Sequence, residues 1–269
     1  MTQFSKEHQT YLKLRKRKRI TVTCLRWGVL AVLIALWELM TALEWIDPFI
    51  VSSPSRIFRT LGNLMQGGKL FYHIGITLGE TVLSFLLATV LGTAIAIALW
   101  WFPTVRSVIE PHLVVLNALP KIALGPIIII WVGAGAGAII TMALLISLII
   151  TVISTLSGLC SVEKSKLLLM QTLGASKWQT LTKLILPANI PTVIDALKIN
   201  VGLCWVGTIM GEYLISRAGL GYLIIYGGQI FQLDLVMTST VVLCALAGAM
   251  YFVVELFQKF VNRRMNFVR

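Results

Sequence analysis

TVLSFLLATVLGTAIAIALWWFPTV, residues 81–105, runs for 25 residues without a charged side chain. About 20 apolar residues are enough for a helix to cross the hydrocarbon core of a bilayer, so this stretch predicts a transmembrane helix. Working outward, the same pattern returns. Residues 122–162 are 41 uncharged residues, too many for one crossing, and GAGAGA at 133–138 divides them into two helices with a tight turn between. LVMTSTVVLCALAGAMYFVV, residues 235–254, is a further uncharged run. Two runs are less pure: 20–43 contains Arg26 and Glu38, and 192–215 contains Asp195, Lys198 and Glu212 near its ends. Charges in such places snorkel to the interface, so both still read as spans. The sequence therefore predicts an all-α integral membrane protein with six transmembrane helices, at about 20–43, 76–101, 109–132, 138–160, 192–215 and 235–258.

Composition agrees. The chain is 57% hydrophobic and 13% charged, against about half and about a quarter for soluble domains. Its 23 Lys and Arg outnumber 11 Asp and Glu, and their placement sets an orientation. With both termini inside, 18 basic residues fall on inner segments and four (Arg56, Arg59, Lys69 and Arg217) on outer ones, with Lys121 inside the third span. Short cytoplasmic loops carry such an excess, so both termini are expected in the cytoplasm. Because the positive charge is spread over every inner loop, it argues against a nucleic-acid partner, which calls for one concentrated basic patch. Residues 1–19, with KLRKRKR at 13–19, form a basic cytoplasmic segment, followed by an apolar run too long for a cleavable signal core. One transmembrane domain over 20–260 and a basic tail over 261–269 complete the organisation.

Cys24, Cys160, Cys204 and Cys244 form no C-x-x-C and have no His close in sequence, so free thiols and no metal site are expected. In the outer loop, SPSRIFRTLGNLMQGGKLF (53–71) offers Ser53 or Ser55 as a cap and Ile57, Phe58, Leu61, Leu64 and Met65 at helical spacing. A short interfacial helix follows.

One basic, amphipathic piece stays outside the apolar runs: QTLGASKWQTLTKLILPANIP, residues 171–191, within an inner loop of about 161–191. Ser176-x-x-Gln179 is a capping box that starts a helix. Trp178, Leu181, Leu184 and Ile185 form its apolar stripe, and Pro187 is expected to end it. Gly174 suits the C′ position of a preceding helix over roughly 163–173. From spacing alone this piece is equally a linker lying on lipid headgroups.

The Gly174-Ala175-Ser176 pattern followed by Leu186-Pro187 resembles the signature loop of permease subunits of binding-protein-dependent ABC importers. The Glu-Ala-Ala that usually precedes it would fall at Leu168, Leu169 and Met170, and is absent. LPKIALGPIIIIWVGAG (119–135), with Pro120, Pro126, Trp131, Gly133 and Gly135, is similar to the third span of the nitrate, sulfonate and taurine branch. GEYLISRAGLGYLI (211–224) resembles that branch's Glu followed by Gly-Leu-Gly, at Glu212 and Gly219-Leu220-Gly221. The resemblance implies a type I importer permease in a bacterial cytoplasmic membrane. Two copies of the chain would sit side by side, with a cytoplasmic ATPase dimer that binds ATP and Mg, and an extracytoplasmic solute-binding protein. It makes residues 174–187 a coupling helix docked on the ATPase. Gly174 would set the turn with Ala175, Ser176 would cap with Lys177 beside it, Trp178 and Leu181 would make the contact, and Leu186-Pro187 would form the exit into span five. The transported solute would be a small anion.

No G-x-x-x-x-G-K-[ST] occurs, so this chain is expected to be neither an ATPase nor any other enzyme, and to hold no cofactor of its own. For the pathway, Gly207-x-x-x-Gly211 gives span five a small face, which ordinary helix packing also explains. Glu212, near the end of an apolar span, is a gate or pathway candidate, or else an interfacial residue. Lys121 could attract an anion or pair with an acid such as Glu80 or Glu110. Pro120 and Pro126 free backbone groups that must be covered by protein or water, which points to the pathway or a subunit interface. His73 and His112 read as simple interface residues. A stand-alone secondary transporter would need symmetric halves and intramembrane acid pairs, and neither is visible. An intramembrane serine protease would need a His poised for Ser176, and Lys177 stands where its motif wants Gly.

Overall fold

The computed structural model describes residues 6–264, and every regular element in that range is helical. In chain order these are α1 (Lys6–Ala42), α2 (Pro48–Val51), α3 (Pro54–Gln66), α4 (Lys69–Trp101), α5 (Pro103–Ala118), a 3-10 turn (Lys121–Leu124), α6 (Gly125–Val132), α7 (Ala136–Cys160), α8 (Lys164–Thr172), α9 (Lys177–Thr180), a π turn (Leu181–Ile185), α10 (Leu186–Ile215), α11 (Leu220–Gln229) and α12 (Leu233–Arg264). Five stretches are long and apolar enough to cross a membrane, and the bent pair α5–α6 brings the number to six among the described residues.

A triad of long helices, α4, α7 and α10, forms the centre, with each packed on the other two. Lipid tails are as apolar as Leu, so burying apolar side chains gives little drive between helices in a bilayer, and close contact of small residues takes over. The buried face of α4 accordingly reads Thr77, Thr81, Ser84, Ala88, Gly92 and Ala96. Gly92 lies so near α7 that an added Cβ would come 2.7 Å from Thr151. Gly207 of α10 leaves no room for a Cβ against the Ala143 backbone of α7, and at Gly211 one would meet Ile139 Cα at 3.0 Å. Several buried hydroxyls are satisfied inside their own helices: Thr81 and Ser84 donate to the Thr77 and Glu80 carbonyls at 2.7 Å, and Ser147 to Ala143 at 2.7 Å. Asn200 ties α10 to α4 by donating to Thr89 Oγ1 at 3.1 Å.

Three expectations about the spans change. The third, expected as one helix over 109–132, is bent by 86° between α5 and α6. Leu119 is extended (φ −65°, ψ 141°), the conformation that the following Pro120 favours, and helix resumes only through the 3-10 turn. Pro126 lies in the first turn of α6, where its missing N–H costs nothing. The fifth span is not separate from the piece before it: Lys177–Ile215 is one rod of 39 residues. Pro187 does not end that rod. The π turn donates from the Leu186 N–H to the Leu181 carbonyl, and this wider turn lets the proline through. Finally, α11 lies between spans five and six, where the sequence reading places no helix.

The outer-loop helix forms as α3, with Ser53 rather than Ser55 as its cap, accepting from the Arg56 N–H at 3.4 Å. Helix α1 covers Lys6 onward, so part of the basic segment is continuous with the first span, and the described side chains of α1 are mostly exposed. It meets the bundle through α2 and α3, where Glu38 accepts from the Ser55 N–H at 3.0 Å. The four cysteines are all free.

Candidate functional site

Two places concentrate the distinctive residues, at opposite ends of α4 and α10. At the end where α4 stops and α9 begins, α8 closes with a Schellman motif. Gly174 takes φ +69°, its N–H donates to the Gln171 carbonyl, and the Ala175 N–H donates to the Met170 carbonyl, both at 2.9 Å. The next helix opens on the expected capping box: Ser176 Oγ accepts from the Gln179 N–H at 3.2 Å, and Gln179 Oε1 accepts from the Ser176 N–H at 2.9 Å. Lys177 reaches back to α4, donating to the Trp101 carbonyl. Its ammonium lies 5.0 Å from the Trp101 ring centre and 5.8 Å from that of Trp100. Trp178 meets Trp101 edge-on at 6.2 Å.

The expected contact stripe is corrected here. Leu181 is 1% exposed and Ile185 is fully buried, both in a cluster with Leu99, Leu156 and Leu159 of the chain's own helices. The stripe faces inward because the π turn and α9 continue straight into α10. What the loop presents outward is Trp178, 63% exposed, with Leu168, Leu169 and Leu173 of the preceding helix, the last 72% exposed. Leu168 and Leu169 occupy the first two positions of the absent Glu-Ala-Ala.

At the other end lies an arrangement the sequence reading did not assemble. The first three N–H groups around the start of α11 each have a side-chain acceptor from another helix. Gly219 donates to His73 Nδ1 at 2.9 Å, Leu220 to Thr77 Oγ1 at 2.8 Å, and Gly221 to Glu212 Oε2 at 2.5 Å. A helix start leaves such donors without intrahelical partners, and here α4 and α10 provide them. Both glycines are required: Gly219 has φ +115° and an added Cβ would overlap the Glu212 carboxyl group, while one on Gly221 would come 2.8 Å from Glu212 Cβ. Glu212 is 1% exposed.

Glu212 is therefore held inside the chain's own junction and not at a membrane interface, and Gly207 and Gly211 pack against α7. His73 is buried in this junction, stacked on Tyr222 at 6.0 Å, not an interface residue. A signal was available: His73, Thr77 and Glu80 recur at positions i, i+4 and i+7 of an otherwise apolar helix, which puts them on one face. Lys121 stands apart from both places, at the break in the third span. Among the described residues it pairs with no acid; it donates to the Asn117 carbonyl at 2.9 Å, and Pro120 and Pro126 beside it are exposed.

The profile described as "Binding-protein-dependent transport system inner membrane component" matches residues 88–267. The chain belongs to this family. It is a multi-pass ABC importer permease subunit. The permease is 29% identical to the taurine transport system permease protein TauC of Escherichia coli K12, over 97% of this chain and 95% of that one. It is also 29% identical to a putative aliphatic sulfonates transport permease protein, SsuC of Bacillus subtilis 168, over 79% of this chain and 77% of that one. These relatives place the permease in the nitrate, sulfonate and taurine branch. Among solved structures, the fold is shared with a chain of the inward-facing MetNI methionine ABC transporter, with TM-score 0.63, 19% identity, and coverage of 77% of this chain and 99% of that one.

Proposed function

We propose that two copies of this permease form the membrane pathway of an ATP-driven importer that passes a small anionic solute, a sulfonate or a similar organic or inorganic anion, from an extracytoplasmic binding protein to the cytoplasm. The observation that carries the reading is the loop of α8, the Gly174 turn and α9. It is rigidly capped at both joints, it exposes Leu168, Leu169, Leu173 and Trp178, and it continues without a break into a membrane-crossing helix. The partner for that apolar surface is a cytoplasmic ATPase dimer, which binds the ATP and Mg.

At 1.5 Å per residue, the 39 residues of Lys177–Ile215 make a rod of about 58 Å. Displacing one end in an ATPase cleft therefore moves the other, with Gly174 as the turn and Ser176 as the cap that keep the docked end in shape. Lys177 carries the same displacement to the end of α4 through Trp100 and Trp101. ATP closes the ATPase dimer and favours the outward-open arrangement of the two permeases; hydrolysis restores the inward one. The coupling is only as large as the difference in ATPase affinity between the two arrangements. The excess of basic residues on the segments flanking this loop supports a cytoplasmic position for it and for both termini. The anionic class rests on the taurine and sulfonate relatives, with Lys121, a half-buried cation at a broken span, available to the passing solute.

The test is affinity purification from native membranes in mild detergent, comparing the wild type with Gly174→Asp and assaying the eluate for ATP hydrolysis. A Walker-type ATPase should accompany the wild type and be lost or uncoupled in the variant. A well-folded wild-type chain that comes out alone and silent would return the loop to a headgroup-bound linker.

A further inference from the structure

We propose that Glu80 and Glu212 form a proton-binding site, in which Glu80 is a neutral carboxylic acid that donates its proton to the Glu212 carboxylate and thereby fastens the start of α11 to α4 and α10. This rests on the junction itself and is independent of how the permease is driven or what it carries.

Both acids are buried, Glu80 at 7% and Glu212 at 1% exposed, on neighbouring helices deep enough that neither reaches solvent freely. Their carboxyl groups lie within hydrogen-bonding reach of each other. An ionised carboxylate only accepts, so two of them in contact cannot bond without a proton between them. Each in fact retains an oxygen without a donor, Oε2 of Glu80 and Oε1 of Glu212. A buried polar oxygen in that state calls for a missing partner, and one proton supplies it to both groups at once.

The surroundings leave no other source of positive charge. None of the ion pairs among the described residues includes either acid. His73, one and two turns before Thr77 and Glu80 on the same face, accepts the Gly219 N–H through Nδ1, so that nitrogen is unprotonated and the ring is the neutral Nε2–H tautomer. Lys69 opens α4 on the far side of His73. Tyr213 on α10 faces the junction near Glu212, and Tyr222 on α11 stacks on His73. From α7 the junction receives Ile139, against Gly211.

Geometry also says which acid holds the proton. Glu212 has backbone donors: the Gly221 N–H at 2.5 Å, with the Tyr222 N–H beside it. Two N–H groups and the start of a helix give a carboxylate at 212 the hydrogen-bond partners that Glu80 lacks. Among the described residues the side-chain partner of Glu80 is Glu212, so the arrangement that joins the two has Glu80–COOH donating to Glu212–COO⁻. The proton is then a structural ligand of the Gly219-Leu220-Gly221 junction, and its departure would leave two adjacent buried anions that push α4 and α10 apart at that point.

The assay uses the purified transporter in lipid nanodiscs at neutral pH, as wild type, Glu80→Gln, Glu80→Ala and Glu212→Gln. In infrared spectra the wild type should show the carbonyl stretch of a protonated, buried carboxylic acid, and Glu80→Gln should lack it. Gln at 80 keeps the shape and the donor, so amide hydrogen exchange at Leu220 and Gly221 should match the wild type. Glu80→Ala removes a hydrogen bond to a charged group and should raise exchange there by on the order of tenfold. Glu212→Gln withdraws the anion from the start of α11 and should raise it as well. The proposal is overturned if no protonated-acid band is lost in Glu80→Gln, or if that variant exchanges like Glu80→Ala or fails to fold. It is equally overturned if wild-type protection depends on sodium or a divalent cation, which would make the pair a metal site.

Discussion

The two ends of the α10 rod are built on opposite rules. At the α11 end, polar side chains from α4 and α10 meet backbone N–H groups, everything is buried, and the glycines leave no space. At the α8 end, the backbone groups are satisfied locally by the Schellman motif and the capping box, and large apolar side chains stand outside the chain's own core. The first arrangement spends its interactions within one chain and so fixes a junction. The second is internally complete as backbone yet leaves its apolar side chains unpartnered, which is how a rigid docking element for another subunit is made. Under the proposed function, conformational energy enters at the α8 end and is resisted at the α11 end.

Three substitutions sharpen that contrast, in descending order of effect on stability. Gly219→Val forces a β-branched side chain to φ +115° and into the Glu212 carboxyl group. It should destabilise the permease by about 3 kcal/mol or more, read as a drop in the thermal unfolding midpoint in detergent and in folded yield. Leu181→Ala opens a cavity in the cluster of Leu99, Leu156, Leu159 and Ile185 and should cost about 3 kcal/mol by the same measurement. Were Leu181 a docking contact, it would lower ATPase binding and leave the midpoint unmoved. Trp178→Ser, at an exposed position three residues earlier, should shift stability by no more than about 0.5 kcal/mol while reducing recovery of the ATPase in pull-down. Unchanged recovery would remove Trp178 from the contact surface and leave Leu168, Leu169 and Leu173 to make it.

What could be read from residue order follows the range of the interactions. The Gly174 turn and the Ser176 cap were legible because each is closed by hydrogen bonds between residues three to five apart. The burial of Leu181 was not. An amphipathic stripe shows that a helix has an apolar face and does not say whether that face meets its own chain or another. Pro187 misled for a related reason: the missing N–H is a local fact, but the π turn that accommodates it is held by packing of Leu181 and Ile185 against α4 and α7. In the junction, Glu212 stood out as a costly intramembrane acid, while its partners His73 and Thr77 are more than 130 residues away, separated from Gly219 and Leu220 by 146 and 143 positions.

By itself, then, the sequence determined that this is a helical membrane protein, where its spans lie, and that one capped basic loop stands between two of them, because hydropathy, helix caps and glycine turns act over a few residues or along one helix. Only the tertiary structure decided which glycines are contacts, which face of the loop is free, where the third span breaks in space, and that two distant acids share one buried site. Those outcomes depend on which helices are neighbours, and in a bilayer the neighbours are chosen by the fit of small and polar side chains across α4, α7 and α10, a fit that no single segment contains.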